Sequence, residues 1–126
     1  RFIIIDAAMN DLIRPAMYDS WHDIVPVREA APGVPVSEAD VVGPICESGD
    51  TLAKARPMPP LAPDDLIAVR GAGAYGAVMA STYNSRALVP EVLVRGDQFA
   101  VIRPRQSIDD LLALDRPAPW FTPTLE

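Results

Sequence analysis

The chain has 126 residues, of which 49% are hydrophobic, and a formal net charge of −6. That length fits one domain with an apolar core, and the negative charge argues against nucleic acid and against an anionic membrane surface as partners. No apolar run reaches a membrane span, one cysteine forms no internal disulfide and makes a reducing cytoplasm the default, and the one histidine, His22, has no second metal-type ligand at a useful spacing, which argues against zinc.

Arg1 leads directly into an apolar run, Phe2-Ile3-Ile4-Ile5, read as a buried strand over residues 2–6. A start inside a strand reads as the later part of a longer chain. Residues 7–11 form a turn, and Arg14-Pro15-Ala16-Met17-Tyr18 makes one helical turn opened by Pro15. Residues 22–27 read as a strand that Pro26 pushes to an edge. A proline-rich connection over 31–37 precedes a short strand at 40–43. Prolines keep 56–63 extended. Residues 66–69 are a strand, 71–76 a glycine-rich bend, and 77–83 a short helix ended by Asn84-Ser85. Two strands, 91–95 and 98–103, form a hairpin across Gly96-Asp97. Ser107-Ile108-Asp109-Asp110 matches a capping box and opens a short amphipathic helix. Many short strands, 14 prolines and little helix predict a mainly β fold, an antiparallel barrel or sandwich over residues 1–114 with a proline-rich tail at 115–126.

The segment Gly43-Pro44-Ile45-Cys46-Glu47-Ser48-Gly49-Asp50 carries the most chemistry. A structural cysteine usually sits among apolar neighbours within a strand or helix. Here Val41-Val42 ends at Gly43, and the thiol and the acid follow on a tight loop at the mouth of a sheet. Gly71-x-Gly73-x-x-Gly76 follows a strand and matches the dinucleotide fingerprint, with Glu91 about 20 residues on. The fingerprint also needs a full helix after its third glycine and an acid at the far end of the next strand. Asn84-Ser85 breaks the first, and Glu91 opens the strand instead of closing it. A bend that lets backbone approach a neighbour or ligand is the plainer reading.

Four segments in order resemble the diaminopimelate decarboxylases, pyridoxal-phosphate enzymes of lysine biosynthesis. They are the run from Phe2 to Tyr18, the loop from Val41 to Asp50, Gly73-Ala74-Tyr75-Gly76, and Tyr83-Asn84-Ser85-Arg86 followed by Pro90-Glu91-Val92-Leu93-Val94. The resemblance reaches to about Leu112. It implies a C-terminal β-domain that pairs with an N-terminal barrel of alternating strands and helices, in an alanine-racemase-like arrangement. It places the lysine that holds pyridoxal 5′-phosphate in that barrel. Lys54, the sole lysine here, does not match it, so this chain alone is expected to be inactive.

The resemblance also assigns roles. Cys46 returns a proton to the carbon that has lost carbon dioxide, reaching into the active site of the partner subunit of a homodimer. A thiol of reference pKa about 8.5 is mostly protonated at neutral pH and suits that task. Glu47 accepts hydrogen bonds from the distal ammonium of meso-diaminopimelate, also across the interface. Arg14 and Tyr18 bind the distal carboxylate. They lie four apart, so one helical turn sets both on one face, and arginine's planar fork suits bidentate carboxylate recognition. Tyr75, between Ala74 and Gly76, lies at cofactor and substrate. The family pattern carries a bulkier aromatic where Ala77 stands here.

Without the resemblance each of these residues has an ordinary alternative: a buried thiol, a surface acid, a surface arginine beside an edge tyrosine, a core tyrosine. His22 reads as structural, and Ser48 and Asp50 as shaping the loop or touching substrate. Two other functions compete. A decarboxylase acting on ornithine or arginine would not need the Arg14 and Tyr18 clamp, because those substrates lack the distal carboxylate. A non-catalytic β-barrel binding or dimerisation module would satisfy composition alone.

Overall fold

The computed structural model describes residues 1–121. The chain forms two compact units, Arg1–Asn84 and Ser85–Glu126. The expected tail lies partly outside the described residues. Among the described residues no helix is long and apolar enough to cross a membrane, and no cluster of potential metal ligands forms.

In the first unit, strands β1 (Phe2–Ile4), β3 (Ser37–Val42) and β4 (Thr51–Met58) form one sheet in the order β1-β3-β4. Strand β2 (Ile24–Pro26) pairs with β5 (Ile67–Val69) in a second, antiparallel sheet. The predominance of β structure matches the expectation, with one departure from antiparallel pairing. β1 runs parallel to β3, Phe2 opposite Asp40 and Ile4 opposite Val42. The core is Ile24, Val41, Leu52, Ala53 and Met58, with Ile3, Ile5, Ile67 and Val69 packed on it. Alternation along β3 buries Ala39 and Val41, as the two-residue period of a strand requires.

Three local expectations change. Phe2 and Ile4 are 69% and 74% exposed, so β1 is not buried on both faces. It is the edge of its sheet, and only Ile3 and Ile5 meet the core. β3 begins at Ser37, earlier than expected, and β4 includes Thr51-Leu52-Ala53-Lys54-Ala55, a stretch of low strand propensity. Pairing with β3 supplies what propensity lacks. A bulge interrupts that ladder, where Ala55 takes a left-handed φ of 48° and its N–H donates to Asp40 Oδ1 at 2.8 Å. Finally, the helix expected over 77–83 is a single 3-10 turn at Ala77–Met79. Ala80 is extended and Asn84 left-handed, so no helix propagates.

Helix α1 (Arg14–Tyr18) forms as expected, with Pro15 in its first turn. Asp19 ends it at φ 54°, its N–H returning to the Arg14 and Pro15 carbonyls. The glycine-rich bend opens no helix of the dinucleotide-binding kind. Its third glycine is there for space, since a Cβ on Gly76 would lie 2.0 Å from the Ala72 carbonyl oxygen.

The second unit contains the predicted hairpin, β6 (Glu91–Arg95) and β7 (Gln98–Arg103), turned through Gly96 at φ 62°. Glu91 and Arg103 pair at 2.6 Å at its open end. Helix α2 (Ile108–Leu112) carries the predicted capping box, with Ser107 Oγ accepting from the Asp110 N–H and the Asp110 carboxylate accepting from the Ser107 N–H. Its Ile108 and Leu112 are exposed.

Candidate active site

The cysteine loop is built around one carboxylate. β3 ends at Val42 and β4 begins at Thr51, and between them the Gly43 N–H donates to the Asp50 carbonyl at 3.0 Å. The Asp50 side chain, 3% exposed, accepts from the Ile45 N–H through Oδ2 and from the Met9 N–H through Oδ1, each at 2.7 Å. A buried carboxylate needs such donors, because an unsatisfied one is costly. A Cβ on Gly43 would lie 2.3 Å from Asp50 Oδ2, so only glycine fits there. Ile45 is buried beside the carboxylate and anchors the loop. Two tight turns follow, Glu47 N–H to Ile45 O at 2.7 Å and Asp50 N–H to Glu47 O at 3.0 Å. They turn Cys46 and Glu47 outward, and both are exposed. Asp50 is therefore the residue that shapes the loop.

Arg14 and Tyr75 meet elsewhere in the same unit. A cleft of about 520 Å³ is lined by Arg14, His22, Asp23, Arg70 and Tyr75 among others. The Arg14 guanidinium carbon lies 5.5 Å from the centroid of the Tyr75 ring, within cation–π range. Tyr75 holds a left-handed φ of 60° and is 61% exposed, so the bend presents its ring to the cleft. Arg70 pairs with Asp23 at 3.3 Å across the rim. His22 is buried, and its Nδ1 donates to the Arg70 carbonyl at 3.2 Å, which ties β2 to the end of β5. Tyr18 shares α1 with Arg14 but is 59% exposed and does not line this cleft.

Cys46 and Glu47 do not line the Arg14–Tyr75 cleft either. Ser48 and Gly49 border a separate cleft of about 470 Å³ between α1 and β4, where Lys54 also lies. There the Arg56 guanidinium stacks 4.1 Å from the Trp21 ring. Burial pushes the Arg56 pKa down, and the Asp23 carboxylate offsets part of that. The chain thus carries a cationic and aromatic cleft and, apart from it, an outward thiol–acid loop. Two contributors had no role in the sequence reading. Asn10 is buried and bonds to Ser81, and Tyr83 donates to Glu47 Oε2 at 3.3 Å. Tyr83 is visible in the sequence only as part of a motif, 36 residues from its partner.

Residues 1–73 match the family model for the C-terminal sheet domain of pyridoxal-dependent decarboxylases. The chain belongs to that family. Its similarity extends beyond the matched residues. The diaminopimelate decarboxylase of Zymomonas mobilis is 51% identical over 121 residues, 96% of this chain and 28% of that protein. The one from Archaeoglobus fulgidus is 50% identical over 120 residues, again 28% of its length. Among solved structures, diaminopimelate decarboxylase from Helicobacter pylori complexed with L-lysine superposes with a TM-score of 0.83 at 45% identity, covering 90% of this chain and 28% of that one. The diaminopimelate decarboxylase from m. jannaschii in co-complex with L-lysine gives 0.87 at 34% identity, over 94% and 26%. The decarboxylase sheet domain described here therefore spans little more than a quarter of the relatives it matches.

The residues of the cleft suit pyridoxal phosphate. The Tyr75 ring offers an aromatic face and the Arg14 guanidinium a positive charge to an anionic aromatic ligand, while the charge of Arg70 is offset by its partner Asp23. Lys54 lies on β4 beside the other cleft, away from Tyr75, which fits its mismatch with the cofactor lysine.

Proposed function

We propose that this chain is the C-terminal part of a diaminopimelate decarboxylase, which converts meso-2,6-diaminopimelate to L-lysine and carbon dioxide. Residues 1–114 are its β-domain and residues 115–126 a tail. The enzyme is a cytoplasmic homodimer whose active sites are shared between subunits. The observation that carries this reading is the separation of the half-sites: Arg14 and Tyr75 share one cleft, while Cys46 and Glu47 project from a loop that does not line it. A second subunit supplies the missing half to each cleft. The activity shared by the relatives named above supports the same reading.

Pyridoxal phosphate, when bound, would supply the electron sink for the pair left by departing carbon dioxide; a lysine of the barrel would hold it covalently. Tyr75, which lines the cleft, would lie against that cofactor and the substrate. Arg14 grips the distal carboxylate through two parallel N–H donors; Tyr18, one helical turn on but outside the cleft, takes no part in this clamp. Glu47 of the partner subunit accepts from the distal ammonium. Both ends of the substrate's far amino-acid group are then read, and the near carbon is fixed in place. Cys46 of the partner subunit delivers its Sγ proton to that carbon. An ornithine or arginine substrate would leave Arg14 without an anion to bind.

The test is Arg14→Ala in the full-length enzyme. Removing a charge-assisted hydrogen bond to the carboxylate raises KM for diaminopimelate by about ten- to a hundredfold. An unchanged KM takes Arg14 out of the clamp and removes the main reason to choose this substrate.

A further inference from the structure

We infer that Tyr83 is a positioning residue for Glu47, holding one carboxylate oxygen so that the other meets the substrate's distal ammonium. This rests on the ammonium-binding role proposed for Glu47.

Glu47 is exposed at the tip of its loop. A glutamate in that setting spreads over several rotamers, and binding then requires ordering it. One contact limits this freedom, the Tyr83 phenol donating to Oε2 at 3.3 Å. Oε1 is left for a ligand. Tyr83 is itself fixed from behind. The Ser81 N–H donates to the Asn10 carbonyl at 2.9 Å, and Asn10 Nδ2 donates back to the Ser81 carbonyl at 3.1 Å. Asn10 is buried, and the neighbouring Met9 N–H donates to Asp50 inside the cysteine loop. The segment that places Tyr83 is thus tied to Asn10 and the loop that carries Glu47 to its neighbour Met9. The Tyr83–Glu47 bond closes that ring. Just past Tyr83, Asn84 and Ser85 take left-handed φ values of 59° and 57°, a conformation uncommon outside glycine. The chain leaves sharply once the phenol has been delivered.

A residue that only orders a binding carboxylate affects substrate and transition state alike, so KM changes and kcat does not. In the full-length enzyme, Tyr83→Phe raises KM for diaminopimelate about three- to tenfold, the worth of one long, exposed hydrogen bond. It leaves kcat within about twofold and the cofactor absorbance unchanged. Tyr83 is half exposed, and phenylalanine keeps its ring, so folding is preserved. In a Glu47→Gln background, which by itself raises KM, adding Tyr83→Phe produces no further change, because both substitutions act through one carboxylate. If Glu47→Gln raises KM and Tyr83→Phe does not, the positioning role fails while the role of Glu47 stands. Additive losses in the double variant, or loss of the cofactor band in Tyr83→Phe, also overturn it, by assigning Tyr83 to other contacts. An unchanged KM in Glu47→Gln removes the ammonium role and this inference with it.

Discussion

Gly43 and Asp50 act as a pair. The carboxylate collects two buried backbone N–H groups, and the glycine leaves the space it occupies. Gly43→Ala forces the carboxylate away and strands the amides of Ile45 and Met9. We expect the full-length protein to lose about 2–4 kcal/mol, given the cost of unsatisfied buried donors. Thermal melting checks this, and a variant as stable as wild type would mean the carboxylate sits elsewhere. Asp50→Ala should be about as damaging, and Gly43→Ala added to it should cost little more, because the clash partner is gone. The Gly-Pro and Gly-Asp bracket of the loop is plain in the sequence. That Asp50 turns inward while Glu47 turns outward is not. Both are carboxylates in one turn, and only the packing of Ile45 and the approach of Met9 separate their fates.

At the level of elements, the signals that are local in the chain succeeded. Pro15 opened α1, Gly96 turned the hairpin, and the Ser107 motif capped α2. The cap gives a direct prediction. Ser107→Ala removes the acceptor for the Asp110 N–H and costs the helix about 1 kcal/mol, which speeds amide exchange in α2 about fivefold. Unchanged exchange would mean the box adds nothing. The same box sets a pH dependence. Hydrogen bonds from the Ser107 side chain and N–H hold the Asp110 pKa below its ordinary 3.8. A depressed folded pKa means the contribution is complete above 3.8 and disappears as pH falls through the lower, folded value. Fraying of α2 followed by NMR should therefore begin only below that pH, and earlier onset would contradict the cap. Elements without a local signal were left unassigned or overextended. Thr51 to Ala55 is strand because β3 lies beside it, and residues beyond Met79 are not helical because Ala80 extends and Asn84 turns left-handed.

For the whole molecule, the proposed division of functional groups between two half-sites predicts complementation between subunits. On the proposed roles, full-length chains carrying Cys46→Ala lose the proton donor but keep the barrel lysine. Chains with that lysine replaced keep the thiol loop. Mixed and allowed to exchange subunits, the two should recover about a quarter of wild-type activity, since half of randomly paired dimers hold one intact site of two. No recovery would place thiol and cofactor in the same chain. Cys46→Ala alone should lower kcat and leave the cofactor absorbance in place.

From the residues alone came the β class, the thiol–acid loop, the helical turn bearing Arg14 and Tyr18, and the rejection of the glycine-rich bend as a nucleotide site. Each depends on proline, glycine or apolar spacing within a few positions, where steric limits act without help from the rest of the fold. The tertiary structure decided the parallel pairing of β1 with β3, the inward turn of Asp50, and the meeting of Arg14 with Tyr75 and of Tyr83 with Glu47. These contacts join residues 5 to 61 positions apart in a 126-residue chain. They exist because the β3–β4 sheet and its core close the loops between them, and no local propensity encodes that closure.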